Sequence, residues 1–243
     1  MRQESKDRFD QAGKVAVVIP TFNEAESIAA VVAELPRDIV GRVIVADGGS
    51  GDGTAERARA AGAEAITVGR GYGLACLAGA AAADADIIVF MDGDGADDPA
   101  AIAAMVEPIR AGACDFVIAS RARGEREPGS MAWHQLLAGH VAGFLIKLLY
   151  GVRYTDMCAF RAIRRDTLLN LGMREMSYGW NLEMQMRAAR NGLRVRELPV
   201  GYRCRIGGQS KVAGSLSGSL RAGLKIVSTF ARVALEPVRR RAS

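Results

Sequence analysis

The run Ile87–Pro99, IIVFMDGDGADDP, constrains the fold more than any other stretch of the chain. Its first four residues are apolar and mostly β-branched, which is typical of a strand buried on both faces of a parallel sheet. Four aspartates follow it, at Asp92, Asp94, Asp97 and Asp98. Two carboxylates one residue apart, in a turn with two glycines, can share one Mg²⁺ or Mn²⁺ ion and leave positions open for phosphate oxygens. The run therefore predicts a metal site at Asp92 and Asp94.

Two other interpretations of this acidic run are a helix cap and a calcium loop. A cap is ordinary chemistry for Asp97 or Asp98 before Pro99, but capping needs one aspartate and the run has four. An EF-hand loop fails on spacing, because its sixth position would be Asp97 instead of glycine and its twelfth Ala103 instead of glutamate. The helix cap alone remains the alternative to the metal site.

Apolar runs alternate with helical segments through the first half of the chain. The predicted strands are Lys14–Pro20, Arg42–Asp47, Glu64–Val68, Ile87–Phe90 and Asp115–Ala119. The predicted helices run from the Asn23 cap to about Leu35, onward from near Thr54, from the Gly69–Gly73 turn to about Ala83, and from Pro99 to about Ala111. This alternation predicts an α/β fold with a mostly parallel sheet, whose right-handed crossovers bring the strand ends to one edge.

Three polar motifs follow predicted strands and should meet at that edge, where open α/β sheets bind ligands. They are PTFNE at 20–24, DGGSGDGT at 47–54 and DGDGADD at 92–98. Neither a dinucleotide fingerprint nor a P-loop follows the first strand. We therefore expect a nucleoside diphosphate bound through its metal, with Asp47 accepting from the base or ribose and the amides of 48–53 near the phosphates. For Asp47 and Asp52, simple turn formation is the alternative.

Composition and charge narrow the class of partner. A chain of 243 residues with 49% hydrophobic residues can bury a sizeable core. Its net charge of +5 is concentrated after Gly201, where nine cations stand against the single acid Glu236. Because the chain has no helix-turn-helix, zinc or RNP pattern, we expect its anionic partner to be a phosphate group or an anionic lipid and not a nucleic acid. Four separated cysteines and a polar start without a signal peptide indicate a cytoplasmic protein.

Two later segments are candidates for contact with a membrane surface. Met131–Tyr150 is apolar nearly all round, but two histidines, a glutamine and a lysine make spanning costly, which leaves a core helix or an interfacial helix. From Leu216 we expect an amphipathic helix followed by the cluster Arg239–Arg241. Its apolar face would carry Leu216, Leu220, Leu224, Val227, Ala231 and Ala234, and its basic face Arg221, Lys225, Ser228 and Arg232. Packing against the body is the alternative for this helix.

The chain is thus expected to have three parts and a peripheral place on the cytoplasmic membrane face. The parts are a polar leader at 1–13, a catalytic domain at 14–214, and a basic amphipathic helix with its tail at 215–243. Attachment through a membrane subunit, or assembly as a homo-oligomer, is compatible with this organisation.

The ordered motifs resemble family 2 glycosyltransferases of the GT-A fold. PTFNE, the D-x-x-S-x-D-G-T pattern of Asp47–Thr54 and the acidic D-x-D after strand four carry this resemblance. In the second half, Ser120-Arg121, DMCAFR at 156–161 and RIGGQSK at 205–211 resemble dolichol- and polyprenyl-phosphate sugar synthases, over roughly residues 14–230. The chain departs from those synthases at Gly93 within D-x-D, at Cys158-Ala159, and at Glu183, where glutamine is frequent.

The resemblance implies an inverting transferase that moves a sugar from a UDP- or GDP-sugar to a polyprenyl or dolichyl phosphate with Mg²⁺ or Mn²⁺. The implied donor-binding residues are Pro20, Thr21, Asn23, Glu24, Asp47, Ser50, Asp52, Arg70, Asp92, Gly93, Arg205 and Lys211. The implied acceptor-phosphate residues are Arg121, Arg161 and Ser210. The implied catalytic residues are Asp94, Arg121, Arg161 and Glu183. A phosphate acceptor is already an anion, so positioning and charge compensation matter more than a general base.

Three other functions are compatible with parts of the sequence. Transfer to a hydroxyl of a lipid or glycan would need a general base, for which Glu183 or Asp97 is the candidate. A sugar-phosphate nucleotidyltransferase would need a glycine-rich, lysine-bearing loop after the first strand, where this chain has PTFNE. A nucleotide-binding regulator without turnover would not need two acidic motifs.

Overall fold

The computed structural model describes residues 14–207 and 216–236, and for residues 216–222 it describes the backbone only. Its strands form one seven-stranded sheet in the order β3-β2-β1-β4-β6-β5-β7. Strand β6 runs antiparallel to both of its neighbours, whereas the other pairs are parallel. The strands are β1 (Val15–Thr21), β2 (Arg42–Asp47), β3 (Glu64–Thr67), β4 (Ile87–Phe90), β5 (Phe116–Ser120), β6 (Arg161–Arg164) and β7 (Val195–Pro199). The expected mostly parallel α/β fold is confirmed.

Helices flank this sheet. They are α1 (Ile28–Ala33), α2 (Thr54–Ala60), α3 (Tyr72–Ala82), α4 (Ile102–Arg110), α5 (Trp133–Tyr150), α6 (Arg165–Asn170), α7 (Trp180–Arg190) and α8 (Leu216–Leu235). A single 3₁₀ turn, Pro99–Ala101, precedes α4. The helices predicted from the glycine-rich turns begin where expected, at Thr54 after β2 and at Tyr72 after β3.

The centre of the core is the pair of strands β1 and β4. Every residue of both strands is buried, and Val15 pairs with Ile87 while Val18 pairs with Phe90. Burying each such side chain contributes roughly 1.5–3 kcal/mol. Helix α3 packs closely on this layer because Gly79 leaves room for Val18. The loops after β1, β2 and β4 consequently emerge side by side at one edge of the sheet.

Two strands were not predicted from the sequence, and one of them changes the shape of the site. β6 has the sequence RAIR, which has no apolar run, and β7 has the sequence VRELP. β6 inserts between β4 and β5 with Phe90 opposite Arg161. This register puts Arg161 inside the sheet, directly beside the strand that leads to the acidic loop.

Helix α7 packs against both α5 and α8. Ion pairs connect α8 to α7 and to the loop before it. Thr229 and Val233 of α8 are buried, and Arg232 Nη1 donates to Glu183 Oε1 over 2.9 Å. Lys225 lies 3.2 Å from Glu175.

Two predicted basic-face residues of α8, Lys225 and Arg232, therefore bind the body of the protein and not an external surface. The predicted apolar-face residues Leu224, Val227 and Ala231 are exposed.

Some sequence predictions fall outside the described residues. These are the leader at 1–13, the domain boundary at 214–215, and the Arg239–Arg241 cluster. Across 14–207 and 216–236, no helix has the length and apolar character needed to cross a bilayer.

Candidate active site

Asp47, at the end of β2, organises the first turn of the crevice. Its carboxylate accepts hydrogen bonds from the amides of Ser50 and Gly49 at 2.8 and 3.2 Å, from the Ser50 hydroxyl, and from Thr21 Oγ1 at 3.2 Å. Only 2% of the residue is exposed. The expectation that Asp47 accepts directly from a base or ribose does not fit this geometry, because its oxygens already have these partners. The turn-forming alternative describes Asp47 in this structure.

The PTFNE motif is tied to that turn by hydrogen bonds across the two loops. The amide of Asn23 donates to Ser50 Oγ over 2.8 Å, and Asn23 Oδ1 accepts from the amide of Gly51 at 3.2 Å. Asn23 has φ of 52°, a left-handed conformation that asparagine tolerates. The amide of Glu24 donates to Thr54 Oγ1 over 2.9 Å. The expected donor-binding residues of both motifs therefore form one continuous wall.

Asp52 and Arg70 complete this wall. Burial opposes ionisation of Asp52, but hydrogen bonds from Thr54 and from the amide of Ala25 outweigh it and lower its pKa. The exposed guanidinium of Arg70 stacks over the Phe22 ring, with its central carbon 4.1 Å from the ring centroid. This cation–π contact joins the turn before α3 to the PTFNE motif.

The acidic loop after β4 concentrates negative charge in a largely buried place. Asp94 and Asp97 are 5% and 3% exposed, and Asp92 is partly buried. Asp97 Oδ2 accepts from the amide of Asp92 at 3.1 Å, and Asp92 Oδ1 accepts from the Tyr72 hydroxyl at 3.3 Å. Burial and the neighbouring carboxylates raise the pKa of Asp92 to about 6 and that of Asp97 to about 8. A bound cation would relieve this repulsion.

The residues present fit Mg²⁺ or Mn²⁺ held jointly with a diphosphate. Within 14–207 and 216–236, no three or more His, Cys, Asp or Glu side chains are arranged to hold a metal ion. Asp92 and Asp94 can supply two carboxylates, and these ions commonly take their other ligands from water and phosphate. The capping alternative applies instead to Asp98, which accepts from the amide of Ala100 at 3.2 Å and pairs with Arg203 at 2.9 Å.

The segment 202–207 lies across the acidic loop. The amide of Arg203 donates to the carbonyl of Ala96 and that of Ile206 to the carbonyl of Asp94, each over 2.9 Å. Arg205 Nη2 lies 2.7 Å from Asp94 Oδ2. This brings the expected donor-binding residue Arg205 to the metal motif. The expected residues Ser210 and Lys211 lie outside the described part of the chain.

Arg121 faces the acidic loop from the end of β5. Its guanidinium binds both oxygens of Asp156 at 2.8 and 2.9 Å, and its amide donates to Asp156 Oδ2 over 2.9 Å. Its central guanidinium carbon lies 4.9 Å from the Tyr202 ring centroid. The positive charge of Arg121 opposes the rise in the pKa of Asp92 and Asp97. An anion arriving at this edge would meet a preoriented guanidinium.

Arg161 does not fit the direct phosphate contact implied by the sequence resemblance. It is fully buried, its guanidinium donates to the carbonyls of Cys158 and Asn181, and it lies over the Phe116 ring. Burial lowers its pKa. In this structure Arg161 supports the sheet beneath the site.

Glu183 does not fit a general base either. It is fully buried, and Glu183 Oε2 accepts from the amides of Arg174 and Glu175 at 2.9 and 2.6 Å. Glu183 Oε1 accepts from Arg187 and Arg232, each at 2.9 Å. Burial opposes its charge, but these donors outweigh burial and lower its pKa. Glu183 therefore joins α7 to α8.

Sequence reasoning missed three residues of the site, namely Tyr72, Asp156 and Tyr202. Asp156 opens the DMCAFR motif, and its pairing with Arg121 could be expected once both are placed at one edge. Tyr72 lies between Gly71 and Gly73 at the start of α3, and the glycines of this turn predict only the start of a helix. Tyr202 has no such signal, because its place depends on the long-range bridge to Asp97.

The sequence of this chain is similar to those of known glycosyltransferases. A family model described as "Glycosyl transferase family 2" matches residues 16–172. An uncharacterized glycosyltransferase of Mycobacterium tuberculosis is 37% identical over 221 residues, which cover 88% of this chain and 98% of the relative. An undecaprenyl-phosphate mannosyltransferase of Micrococcus luteus is 32% identical over 225 residues, which cover 84% of this chain and 90% of the relative.

A solved structure shares the fold. Glucosyl-3-phosphoglycerate synthase from Mycobacterium tuberculosis, in complex with Mn²⁺, UDP-glucose and phosphoglyceric acid, has a TM-score of 0.76 at 22% identity. The match covers 98% of this chain and 85% of that one. This likeness confirms the GT-A fold expected from the motifs.

Proposed function

Because the chain belongs to glycosyl transferase family 2, we propose that it moves a sugar from a nucleoside diphosphate sugar to a polyprenyl phosphate with Mg²⁺ or Mn²⁺. The observation that carries the proposal is the acidic loop between two guanidinium groups, Arg205 at Asp94 and Arg121 at Asp156. A reaction between two phosphate-bearing molecules needs cations on both sides of the reacting carbon. We assign Arg205 to the donor side and Arg121 to the acceptor side.

The chemistry follows from these assignments. An oxygen of the acceptor phosphate forms a bond to the anomeric carbon while the bond from that carbon to the diphosphate breaks, so the anomeric configuration inverts. When bound at Asp92 and Asp94, the metal ion supplies charge that stabilises the departing nucleoside diphosphate. Arg121, held by Asp156, orients the acceptor phosphate. No proton has to be removed from an ionised phosphate, so this reaction needs no general base. Glu183, whose carboxylate is bound in ion pairs, is therefore not required as one.

The lipid nature of the acceptor is supported by helix α5. Trp133, Leu137, Phe144 and Leu148 are exposed on it, with 74% of Trp133 and 66% of Leu148 accessible to solvent. No carboxylate occurs from residue 128 to residue 155. A surface that is apolar and without acids suits the head-group region of an anionic membrane.

Helix α5 is also adjacent to the proposed acceptor site. Gly139 lies against the backbone of Thr155 and Asp156, and Asp156 holds Arg121. A Cβ atom at Gly143, one turn further along the helix, would collide with the carbonyl of Tyr154. The relative from Micrococcus luteus is named as an undecaprenyl-phosphate mannosyltransferase, which supports the same class of acceptor. A peripheral place on the cytoplasmic membrane face belongs to this proposal.

An acceptor panel tests the proposal. The full-length protein is incubated with Mn²⁺ and radiolabelled UDP-glucose or GDP-mannose, with one acceptor at a time. The acceptors are a short polyprenyl phosphate, the matching polyprenol, a soluble sugar and phosphoglyceric acid. We expect label in the lipid phosphate and none in the polyprenol. Transfer to the polyprenol or the sugar would favour a hydroxyl acceptor, and transfer to phosphoglyceric acid alone would indicate a soluble acceptor that bears a phosphate group.

Vesicle binding tests the role of α5. Phe144→Glu combined with Leu148→Glu should weaken co-sedimentation with phosphatidylglycerol vesicles, because both side chains are exposed on one helix. Leu169→Glu on α6 is the matched control, since Leu169 is also an exposed leucine. Val227→Glu tests α8 separately. Equal binding by the α5 variant and the wild type would contradict an interfacial role for α5.

A further inference from the structure

We propose that Tyr72 is a positioning residue for Asp92, whose carboxylate it holds in the orientation that receives the metal ion. The inference rests on the proposed function, because it concerns the same metal motif. Tyr72 is the first residue of α3, and its hydroxyl donates to Asp92 Oδ1 over 3.3 Å. Hydrogen bonds at catalytic sites are often long without substrate and shorten in the complex.

Asp92 needs such a partner because of its surroundings. Asp92 and Asp97 are close enough for the amide of Asp92 to donate to Asp97 Oδ2 over 3.1 Å. That bond fixes the backbone of Asp92 but leaves its carboxylate free to rotate away from the neighbouring negative charges. The phenol of Tyr72 provides a neutral donor that favours the ionised form and fixes one of its two oxygens. The second oxygen is then presented in a defined direction.

The position of Tyr72 is itself fixed by the loop 174–177. The amide of Leu74 donates to the carbonyl of Met176 over 3.1 Å. A Cβ atom at Gly71 would collide with that carbonyl, and one at Gly73 would collide with the carbonyl of Glu175. Gly71 also has φ of 149°, which strains any residue with a side chain. Glycines on both sides of Tyr72 are therefore required for this close approach.

The loop 174–177 is held in place by helix α8. Glu175 Oε2 accepts from Thr229 Oγ1 of α8 at 3.0 Å and lies 3.2 Å from Lys225 Nζ. Helix α3 is also held by the sheet, where Gly79 packs against Val18 of β1. The backbone that carries the phenol is therefore held rigidly, which an effective outer-shell partner of Asp92 requires.

The test is the Mn²⁺ affinity of Tyr72→Phe, which removes the hydroxyl and keeps the ring. Free Mn²⁺ is measured by electron paramagnetic resonance during titration of the full-length protein with saturating UDP or GDP, whichever binds the wild type more tightly. We expect the Mn²⁺ dissociation constant to rise about 10-fold, the usual effect of losing an outer-shell partner. Tyr154→Phe is the matched control, because its buried hydroxyl donates to the carbonyl of Gln185 over 3.1 Å and does not contact Asp92.

A double-mutant cycle separates positioning from general packing. If Tyr72 acts through Asp92, Tyr72→Phe should have no further effect on Mn²⁺ affinity in an Asp92→Asn background. Additive losses of Mn²⁺ affinity in the double variant would overturn the inference. Unchanged Mn²⁺ affinity in Tyr72→Phe, with a wild type that binds Mn²⁺, would also overturn it. In both cases the proposed function would still stand. A wild type that binds nucleotide equally with Mn²⁺ and with EDTA would overturn both the metal assignment and this inference.

Discussion

The guanidinium of Arg205 lies against Asp94, with Nη2 2.7 Å from Oδ2. A cationic side chain therefore contacts one of the two carboxylates assigned to the metal ion. Both residues are partly or wholly removed from water, so their attraction is stronger than that of an exposed pair. Arg205 thus compensates the charge of Asp94, and under the proposed function it is also assigned to the diphosphate of the donor.

Arg205→Gln should separate these two roles. Because the guanidinium competes for Asp94, the variant should bind Mn²⁺ alone several-fold more tightly, while kcat/KM for transfer should fall by roughly 10-fold or more. Mn²⁺ titration without nucleotide and steady-state kinetics measure the two effects. Arg203→Gln is the control, because Arg203 pairs with Glu34 and Asp98 instead. Weaker Mn²⁺ binding by Arg205→Gln would contradict the competition.

Asp94→Asn should remove metal-dependent nucleotide binding. The change keeps the shape of the side chain and deletes a charged ligand, and loss of an outer-shell partner alone already costs about 10–100-fold. We expect transfer to fall by at least about 100-fold, and nucleotide binding measured by calorimetry to become equal with Mn²⁺ and with EDTA. Asp98→Asn should retain the response to Mn²⁺, since Asp98 caps the turn before α4. Metal-dependent binding in Asp94→Asn would refute the site.

Arg121→Gln should impair use of the acceptor more than binding of the donor. The substitution leaves Asp156 buried without its bidentate partner and removes the cation assigned to the acceptor phosphate. We expect kcat/KM for the polyprenyl phosphate to fall by roughly 100-fold, with the dissociation constant of the nucleotide changed less than about threefold. An equal loss of nucleotide affinity would place Arg121 on the donor side.

The ion pairs around Glu183 should make the packing of α8 against α7 weaker at acidic pH. The pKa of Glu183 is lowered from 4.5, so its contribution to stability is complete above about pH 4.5 and is lost as the pH falls through the folded-state value. Arg187 and Arg232 donate to Glu183, and the charged residues paired around them are Arg174, Glu175, Arg190, Lys225 and Glu236.

Glu183→Gln measures this contribution. Breaking a buried pair on one side should cost about 3 kcal/mol in the free energy of unfolding near pH 7. Urea unfolding at pH 7 and pH 3.5 should show the difference between variant and wild type shrinking at the lower pH. A constant difference would mean that Glu183 stabilises the protein by packing and not by charge.

The parts of the fold that were predictable are those built from local patterns. β1, β2 and β4 are apolar runs followed by polar turns, and in parallel βαβ units this places 20–24, 47–54 and 92–98 at one edge. β6 was not predictable because RAIR has no apolar periodicity and forms only by pairing with β4 and β5.

The differences from expectation at Arg161 and Glu183 have the same non-local origin. The resemblance indicated which residues matter but not whether their side chains face the crevice. Arg161 lies on β6, and its burial follows from a strand position that no local signal reveals. Glu183 lies on a helix whose buried face depends on α8, more than thirty residues further along the chain. Asp47 is oriented by its own turn, and this alternative was visible from the sequence.

The most direct test of the account is the fate of the anomeric carbon in a reaction with polyprenyl phosphate. A nucleoside diphosphate sugar labelled with ¹³C at that carbon is incubated with the full-length protein, a short polyprenyl phosphate and Mg²⁺, and the reaction is followed by nuclear magnetic resonance. The account predicts a lipid-extractable product with a ¹³C–³¹P coupling and an inverted anomeric configuration, formed with Mg²⁺ and absent with EDTA. A product without phosphorus coupling, retention of configuration, or equal turnover with EDTA would contradict it.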